Sequence, residues 1–336
     1  MDNHHFFMQR CLQIARNGLG NVAPNPMVGA VLVHHGTIIA EGYHRACGLP
    51  HAEVEAIGQV RSTALFKEST LYVSLEPCCH FGKTPPCTDL ILSSKIPRVV
   101  VAVADPFHKV NGGGIERLQK SGVEVITGVL EQEAQHLNRR FFTYHTQQRP
   151  YIILKWAQTA DGFIDKQRTP NEPPAAISNA AAHRLSHWWR GQEQAIMVGT
   201  RTALYDNPAL TTRLCAGKNP IRVVVDADGK LPKTLQLLDN QSNTIVIETR
   251  EVSQMLQILY AKGLQSVIVE GGAALLQSFI SSGLWDEARV FVAPQNIDKG
   301  VAAPLVHGGH TAATCSIGNN TLHLIHSKQS PTFRRY

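Results

Sequence analysis

The sequence lacks an apolar run long enough to cross a membrane, which takes about 20 residues, so we expect no membrane partner. The opening stretch, MDNHHFFMQRCLQIARNG, has no basic segment followed by an apolar one. It therefore predicts an amphipathic helix instead of a secretory signal, and a cytoplasmic protein.

Long runs of Lys or Arg are also missing, although the chain is basic, with a net charge of +6 from 32 basic and 26 acidic residues. Aromatic residues make up only 7%, and no stretch interleaves them with basic residues as single-strand nucleic-acid binders do. The scattered charge suits an anionic partner. A phosphorylated small molecule would explain the charge as well as a nucleic acid would, and the missing basic, aromatic-rich stretch argues against nucleic acid, so we expect a small-molecule partner and no nucleic acid.

Cysteine is too scarce and uneven for a disulfide framework: there are seven, and three of them crowd into residues 78–87. In a reducing compartment, clustered cysteines indicate a metal site more than disulfides. The remaining four are expected to be small core residues: Cys11, Cys47, Cys215 and Cys315.

A chain of 336 residues is long for one hydrophobic core, so two domains are predicted. Strand-like and helix-like segments alternate throughout without an internal repeat, which is typical of α/β domains. The polar segment HTQQRP, residues 145–150, marks the boundary. We predict one domain over residues 1–146 and another over residues 150–336.

Apolar, β-branched runs predict strands in both halves. In the first half they are MVGAVLV, TIIAEGY, LYVSL and RVVVAVA, with helices expected at 52–60, 88–95, 112–121 and 131–145. In the second half they are YIILKWA, QAIMVGT, IRVVVDA, NTIVIET, SVIVEGG and ARVFVAP, with helices at 179–191, 251–262 and 273–282.

The segments PHAEVEA and LEPCCHFGKTPPC carry the most specific chemistry. His51, Cys78 and Cys87 offer one nitrogen and two sulfurs, a donor set that suits Zn²⁺ and leaves a fourth position for water. Glu53 lies two residues from His51, close enough to shuttle protons without binding the metal. His-x-Glu followed by Pro-Cys and a second Cys is the signature of zinc-dependent base deaminases.

Two other interpretations of these segments stay open. Glu53 and Glu55 also suit the start of a helix, where the dipole favours acidic residues. Cys79 or His80 could supply a fourth ligand and make the zinc purely structural.

The eight residues between Cys78 and Cys87 exceed the spacing usual in nucleic-acid deaminases. Their polar side chains, among them Lys83 and Thr84, suit either substrate contact or a solvated loop.

The segments NPMVGAVLV, GYHRACGLPHAEVEA, LYVSLEPCCHFGKTPPC and ADPFHKVNGGGIERLQKSGVEV resemble the deaminase domain of the bifunctional riboflavin-biosynthesis deaminase–reductases. The segments ILKWAQTADGFI, AIMVGTRTALYDNPALTTR, PIRVVVDADGKL and SVIVEGGAALLQSFI resemble the reductase domain of the same family. The resemblance covers essentially the whole chain.

The resemblance implies a cytidine-deaminase-like domain followed by a dihydrofolate-reductase-like domain. The first would use zinc to hydrolyse the amino group of 2,5-diamino-6-(5-phosphoribosylamino)pyrimidin-4-one, with Glu53 carrying protons to the ring nitrogen and the leaving amine. The second would use NADPH to reduce the ribosyl group to ribityl, by hydride delivery to C1′ of a ring-opened imine. A homodimer joined through the reductase domains is also implied.

Reductase residues carry over where the motifs match. The positions expected at NADPH are Ala157, Thr202, Asp206 and Gly272. The positions expected at the substrate are Arg190, Leu210, Arg213 and Glu270. A helix start at Gly272 would suit a phosphate, and the two arginines would suit the ribose phosphate.

The chain departs from the family at three positions. Pro174 and Ala176 stand where relatives often have a serine and a tryptophan, and Phe107 stands where some have an asparagine. Substrate and cofactor contacts there are left open. Two alternative functions are also kept: a zinc deaminase of nucleic-acid bases, and a structural-zinc scaffold that binds a nucleotide without catalysis.

Overall fold

The structure is a computed structural model that describes residues 3–81, 85–107, 110–170, 172–239 and 242–330. The chain divides into two compact units, Met1–Gln147 and Gln148–Tyr336, here called the N unit and the C unit. Within the described residues, every helix is too short or too polar to cross a membrane.

The N unit is one mixed sheet between two layers of helices. Its strands are β1 (Gly29–His34), β2 (Thr37–Tyr43), β3 (Ser69–Val73), β4 (Arg98–Val101) and β5 (Glu124–Thr127). Its helices are α1 (His4–Ala15), α2 (Ala52–Ile57), α3 (Cys87–Ser93), α4 (Gly113–Lys120), α5 (Glu131–Leu137) and α6 (Arg139–Gln147). The strand order is β2-β1-β3-β4-β5, with β3, β4 and β5 parallel and β1 antiparallel to both neighbours.

Residue alternation along the strands divides the core of the N unit between the two faces of the sheet. Val31 and Val33 pack with residues of α1 and α5, whereas Ala30 and Leu32 pack with residues of α2, α3 and α4. Because successive side chains of a strand point to opposite faces, a continuous apolar run such as GAVLV serves both layers at once.

The C unit has ten strands and four helices among its described residues. The strands are β6 (Tyr151–Gln158), β7 (Phe163–Lys166), β8 (Ala195–Gly199), β9 (Ile221–Val225), β10 (Thr244–Ile247), β11 (Ser266–Gly271), β12 (Glu287–Val292), β13 (Gly300–Ala302), β14 (Gly309–Ile317) and β15 (Asn320–Ser327). The helices are α7 (Ala180–Arg190), α8 (Thr200–Asp206), α9 (Val252–Ala261) and α10 (Ala273–Ser282).

Eight of these strands form one sheet in the order β10-β9-β8-β11-β6-β12-β15-β14, and β7 pairs separately with β13. The strands from β10 to β12 are parallel, and β15 and β14 extend the sheet antiparallel. Residues of α9 and α10 pack on one face, and residues of α7 and α8 on the other. The carboxyl ends of the parallel strands therefore meet along one edge.

Four features of the fold differ from the sequence predictions. Helix α8 was not predicted, and Cys47 and Cys315, which were expected in the core, are exposed, whereas Cys11 is buried as expected. The single helix predicted over 131–145 is wrong, because two helices meet at Asn138, whose side chain bonds the backbone N–H and carbonyl of Met27 at 2.8 and 2.9 Å. Strands β5, β7, β13, β14 and β15 were not predicted, and β14 is mostly exposed and polar, so it carries no apolar run.

Candidate active sites

The three predicted zinc ligands come together in the N unit, although two of them lie more than 25 residues from the third in sequence. His51 stands directly before α2 in an extended conformation, and Cys87 is the first residue of α3. Cys78 lies in the loop that follows β3. The two helix starts and the loop after a central strand thus converge on one point.

The donor atoms are close enough to share one ion. His51 Nδ1 lies 3.3 Å from Cys87 Sγ and 3.6 Å from Cys78 Sγ, and one donor atom of each residue lies within 4.8 Å of the others. One imidazole and two thiols suit zinc, with a fourth position left for water. Neither Cys79 nor His80 belongs to this group, so the described residues do not form a four-ligand structural site.

The electrostatics of this cluster favour a thiolate beside a carboxyl that can hold a proton. Hydrogen bonds from the thiol and the backbone N–H of Cys87, together with His51, lower the pKa of Cys78 to about 4. Burial raises the pKa of Glu53 to about 7, and the negative Cys78 adds to the effect. Glu53 is only 3% exposed, so its carboxyl is poised to exchange a proton near neutral pH.

His44 and Asn25 support His51 and were not singled out from the sequence. The buried His44 ring lies 5.5 Å from that of His51, edge to face. His44 Nδ1 lies 3.0 Å from the carbonyl of Pro50, and Nε2 lies 3.0 Å from Asn25 Nδ2. Burial lowers the pKa of His44, so a neutral ring donates from Nδ1 and accepts at Nε2. This fixes the backbone that precedes His51.

Glu76, in the segment LEPC, was also missed. Its buried carboxylate accepts four backbone N–H groups, from Asp105 at 3.0 Å, Gly112 at 2.9 Å, Gly114 at 2.8 Å and Ile115 at 3.2 Å. The carboxylate thereby connects the loop at Asp105 and the start of α4 to the segment that leads from β3 to Cys78. A glutamate just before Pro-Cys was the available signal, but nothing in the sequence named its distant partners.

Other groups of the N unit lie on these loops. Burial raises the pKa of Asp105 to about 7. The Phe107 ring packs against His145 and His80, at centroid distances of 5.1 and 6.2 Å. Phe107 therefore makes aromatic contacts at a position where some relatives have the amide group of an asparagine. Lys83 and Thr84 lie outside the described residues.

In the C unit, two predicted cofactor residues meet at the carboxyl edge of the sheet. Thr202, in α8, accepts a hydrogen bond through Oγ1 from the backbone N–H of Gly272, at 2.9 Å. A Cβ on Gly271 or Gly272 would approach the Thr202 side chain to 3.0 or 3.2 Å, so glycine allows the two segments to approach closely. The Gly272 N–H is therefore already bonded, and any phosphate at this helix start would use the N–H groups of the following turn.

The other two predicted cofactor residues stand nearby in the fold but make different contacts. Asp206 ends α8 and forms an ion pair with Arg168, which also pairs with Asp165 at 2.6 Å. Ala157 is near the end of β6 and pairs with Phe291 of β12 in the sheet. The predicted cofactor residues therefore lie at or just after the carboxyl ends of β6, β8 and β11.

A charged cluster lies on the neighbouring strands β6 and β11 and on α7. Glu270 in β11 accepts two hydrogen bonds from Arg190, Nε to Oε1 at 2.8 Å and Nη2 to Oε2 at 2.7 Å. Lys155 Nζ lies 3.7 Å from Glu270 Oε2. Burial opposes ionisation, but Arg190 and Lys155 lower the pKa of Glu270 to about 2. Lys155 is a residue that sequence analysis missed, since a lysine in an apolar strand offered no motif.

The two arginines predicted at the substrate differ in their surroundings. Arg190 is fully engaged, since its third nitrogen also donates to the carbonyl of Thr211 at 3.2 Å. The Arg213 side chain is exposed and has no ion pair among the described residues, while its backbone N–H donates to His187 Nδ1 at 3.1 Å. Of these two arginines, Arg213 therefore has the guanidinium that is available to a phosphate. Leu210 is buried with a left-handed backbone, φ 52°.

The remaining departures lie on an exposed segment. Pro174 and Ala176 are both exposed, and the carbonyl of Ala176 accepts a hydrogen bond from Gln295 Nε2 at 2.8 Å. Backbone groups of this segment thus make contacts that do not depend on the identity of its side chains.

Comparison with known proteins gives consistent results for both units. Residues 1–103 match the cytidine and deoxycytidylate deaminase zinc-binding region, and residues 150–330 match the RibD C-terminal domain. Riboflavin biosynthesis protein RibD of Aquifex aeolicus is 40% identical over 319 residues, covering 88% of each chain. Its Escherichia coli counterpart is 33% identical, covering 86% of this chain and 87% of the relative.

A solved structure agrees over nearly the whole length. The diaminohydroxyphosphoribosylaminopyrimidine deaminase/5-amino-6-(5-phosphoribosylamino)uracil reductase of Thermotoga maritima has a TM-score of 0.88 at 36% identity, covering 96% of this chain and 98% of that one. The predicted fold class, a cytidine-deaminase-like domain followed by a dihydrofolate-reductase-like domain, is confirmed. The chain belongs to the RibD family of riboflavin biosynthesis proteins.

Proposed function

We propose that the N unit hydrolyses the amino group of 2,5-diamino-6-(5-phosphoribosylamino)pyrimidin-4-one and that the C unit then reduces the ribosyl group of the product with NADPH. The observation that carries the proposal is the meeting of His51, Cys78 and Cys87 beside the buried Glu53. The family membership supports it over a nucleic-acid base deaminase and over a non-catalytic scaffold.

In the N unit, His51, Cys78 and Cys87 would hold the zinc ion. When bound there, zinc would lower the pKa of a water molecule and so provide a nucleophile for the ring carbon at neutral pH. Glu53 would take one proton from the attacking water and pass it to the ring nitrogen. It would then carry the second proton, from the hydroxyl newly bonded to the ring carbon, to the amine, which departs as ammonia. The buried position of Glu53 suits this role, because its pKa of about 7 lets it both accept and give a proton near neutrality.

In the C unit, Ala157, Thr202, Asp206 and Gly272 would surround NADPH at the carboxyl edge of the sheet. The bound cofactor supplies a hydride for C1′ of the ring-opened sugar. Arg213 would bind the ribose phosphate. Glu270, held by Arg190 and Lys155, would accept hydrogen bonds from the substrate with a fixed negative charge. Leu210 would line the substrate position from the loop that follows α8.

The two proposed reactions also bear on the partners and the location of the protein. The substrates are small phosphoribosyl-pyrimidines, and we expect neither nucleic acid nor a membrane as partner, and a cytoplasmic location. We also expect a homodimer joined through the C units. Strand β14 supports this, because it stands at the edge of the eight-stranded sheet with most of its residues exposed, where another strand could pair.

The experiment that tests the two-step function is a coupled assay on the full chain. The diaminopyrimidine ribotide and NADPH are supplied together, and ammonia release and NADPH oxidation are followed with and without a zinc chelator. We expect ammonia first, NADPH oxidation after it, and loss of both on chelation. Ammonia without NADPH oxidation would contradict the role of the C unit, and no ammonia from zinc-loaded protein would contradict the whole proposal.

A further inference from the structure

The hairpin that joins β1 to β2 brings two consecutive histidines to the same side. His34 is the last residue of β1 and pairs with Thr37 of β2, so the turn has only two residues between the strands. Both of them, His35 and Gly36, have a positive φ, 48° and 77°, as a type I′ turn requires. Neighbouring residues of a regular strand would point to opposite faces. With His35 in the turn, the two imidazole centroids lie only 4.2 Å apart.

A carboxylate completes the group from the other side of β1. Glu68 directly precedes β3, whose first residue, Ser69, pairs with His34 in the sheet. Glu68 Oε2 lies 2.7 Å from His35 Nε2. One ring nitrogen from each histidine and one oxygen of Glu68 all lie within 4.8 Å of one another. The pairings of His34 with Thr37 and with Ser69 therefore hold the three donors in register.

We propose that His34, His35 and Glu68 form a second metal site of the N unit, which binds Zn²⁺ or a similar divalent transition-metal ion. Two imidazoles and a carboxylate are the donors that such ions prefer when no thiolate is present. His35 and Glu68 are exposed and His34 is half-buried, so the ion enters from solvent and water fills its remaining positions.

The surroundings of His34 prepare it as a ligand. The Ser69 hydroxyl donates to the carbonyl of Leu65 at 2.8 Å, and its oxygen lies 3.5 Å from His34 Nδ1. Since that hydroxyl proton is already used, Ser69 can only accept from Nδ1. This favours the tautomer with the proton on Nδ1 and the lone pair on Nε2, an arrangement typical of metal-binding histidines.

This second site is separate from the predicted zinc centre. Glu68 precedes the first residue of β3, and Cys78 follows its last residue, Val73. The four steps of β3 alone span about 13 Å at about 3.3 Å per residue. No ligand is shared, so the two sites should fill independently, and their different donors should give them different spectra.

The experiment is a Co²⁺ titration of full-length protein stripped of metal, because cobalt bound to thiolate has charge-transfer absorption in the near ultraviolet and cobalt bound only to nitrogen and oxygen has none. We expect one equivalent that produces this band and a second that adds only visible ligand-field absorption. In a His35→Ala/Glu68→Gln double variant, the second equivalent should be lost while the charge-transfer band and ammonia release remain. His5→Ala, an exposed histidine of α1, serves as the matched control and should keep both equivalents.

Uptake of only one equivalent by the unaltered protein would overturn the proposal, as would a second equivalent that survives in the double variant. A failure of the deaminase function appears differently, as a normal second equivalent without ammonia release. The two results can thus be told apart in one set of samples.

Discussion

The two sites shift the pKa values of their buried carboxyl groups in opposite directions. In the N unit, burial moves the pKa of Glu53 and that of Asp105 to about 7, so these carboxyls can hold or release a proton near neutral pH. In the C unit, Arg190 and Lys155 move the pKa of Glu270 down to about 2, so its charge stays fixed. The difference fits the chemistry: hydrolysis of an amine needs a group that moves protons, whereas hydride transfer takes its reducing equivalent from a cofactor and needs a substrate held in place.

The largest contrast should come from removing a zinc ligand. Cys78→Ser replaces a thiolate with a poor zinc ligand, so bound zinc and ammonia release should both be lost. NADPH oxidation with the deaminated ribotide should be unchanged, because the cluster lies in the N unit. Metal analysis and the two assays measure this. Cys79→Ser is the matched control, since Cys79 is outside the ligand group, and its loss of zinc would contradict the assignment.

Removing the negative charge of Glu270 should mainly lower the stability of the C unit. Glu270→Gln leaves Arg190 and Lys155 buried without a counter-charge, which should lower the free energy of unfolding by about 3–5 kcal/mol and abolish NADPH oxidation. All four tryptophans lie in the C unit, so tryptophan fluorescence during urea unfolding reports this unit alone. The exposed Glu248→Gln should change stability by no more than about 0.5 kcal/mol. Equal effects of both variants would refute a special role for the cluster.

A smaller effect is expected at the proposed phosphate contact. Arg213→Ala removes one charge-assisted contact and should raise the KM of the reductase for its ribotide about tenfold to a hundredfold, with little change in kcat. The control Arg184→Ala, at an exposed arginine of α7, should leave KM as it is. A fall in kcat at unchanged KM would show that Arg213 does not bind the ground-state phosphate.

The smallest effect concerns pH. Burial and the neighbouring Arg190 lower the pKa of His187 from 6.5 to about 4. Between these values the unfolded chain takes up a proton that the folded chain refuses, so the stability of the C unit should fall as pH drops from 6.5 to 4. Glu270 adds a further loss below its unfolded value of 4.5. Stability at each pH is measured from urea unfolding followed by tryptophan fluorescence. His187→Gln should reduce the fall in stability between pH 6.5 and 4.5, and an unchanged fall in this range would exclude His187 as its source.

How much the sequence could predict also differs between the sites. The deaminase ligands lie in short motifs with strict donor chemistry, so His51, Glu53, Cys78 and Cys87 could be picked from the residues alone. The residues that hold these ligands in place could not be predicted in this way. Asn25 and His44 act through each other and through the carbonyl of Pro50, and Glu76 acts through backbone N–H groups about 30 to 40 residues away, so only the folded chain brings these groups together.

In the C unit the sequence predicted all six parallel strands but little of the site. Lys155 sits in an apolar run, and its partner Glu270 is in another strand more than a hundred residues away. The family resemblance supplied Arg190 and Arg213 as equivalent phosphate ligands, whereas the structure places only Arg190 in a buried ion pair. The residue type shows the charge of each group. Whether that group is buried in an ion pair or exposed to a ligand depends on how whole strands pack.

The central claim is that one chain holds a proton-transfer site and a separate reductase site that acts on its product. Glu53→Gln tests this most directly, with ammonia release measured from the diaminopyrimidine ribotide and NADPH oxidation measured with the already deaminated ribotide. We predict that ammonia release falls by about 10² to 10⁴, with zinc retained and NADPH oxidation unchanged. Undiminished ammonia release, or a parallel loss of NADPH oxidation, would contradict the account.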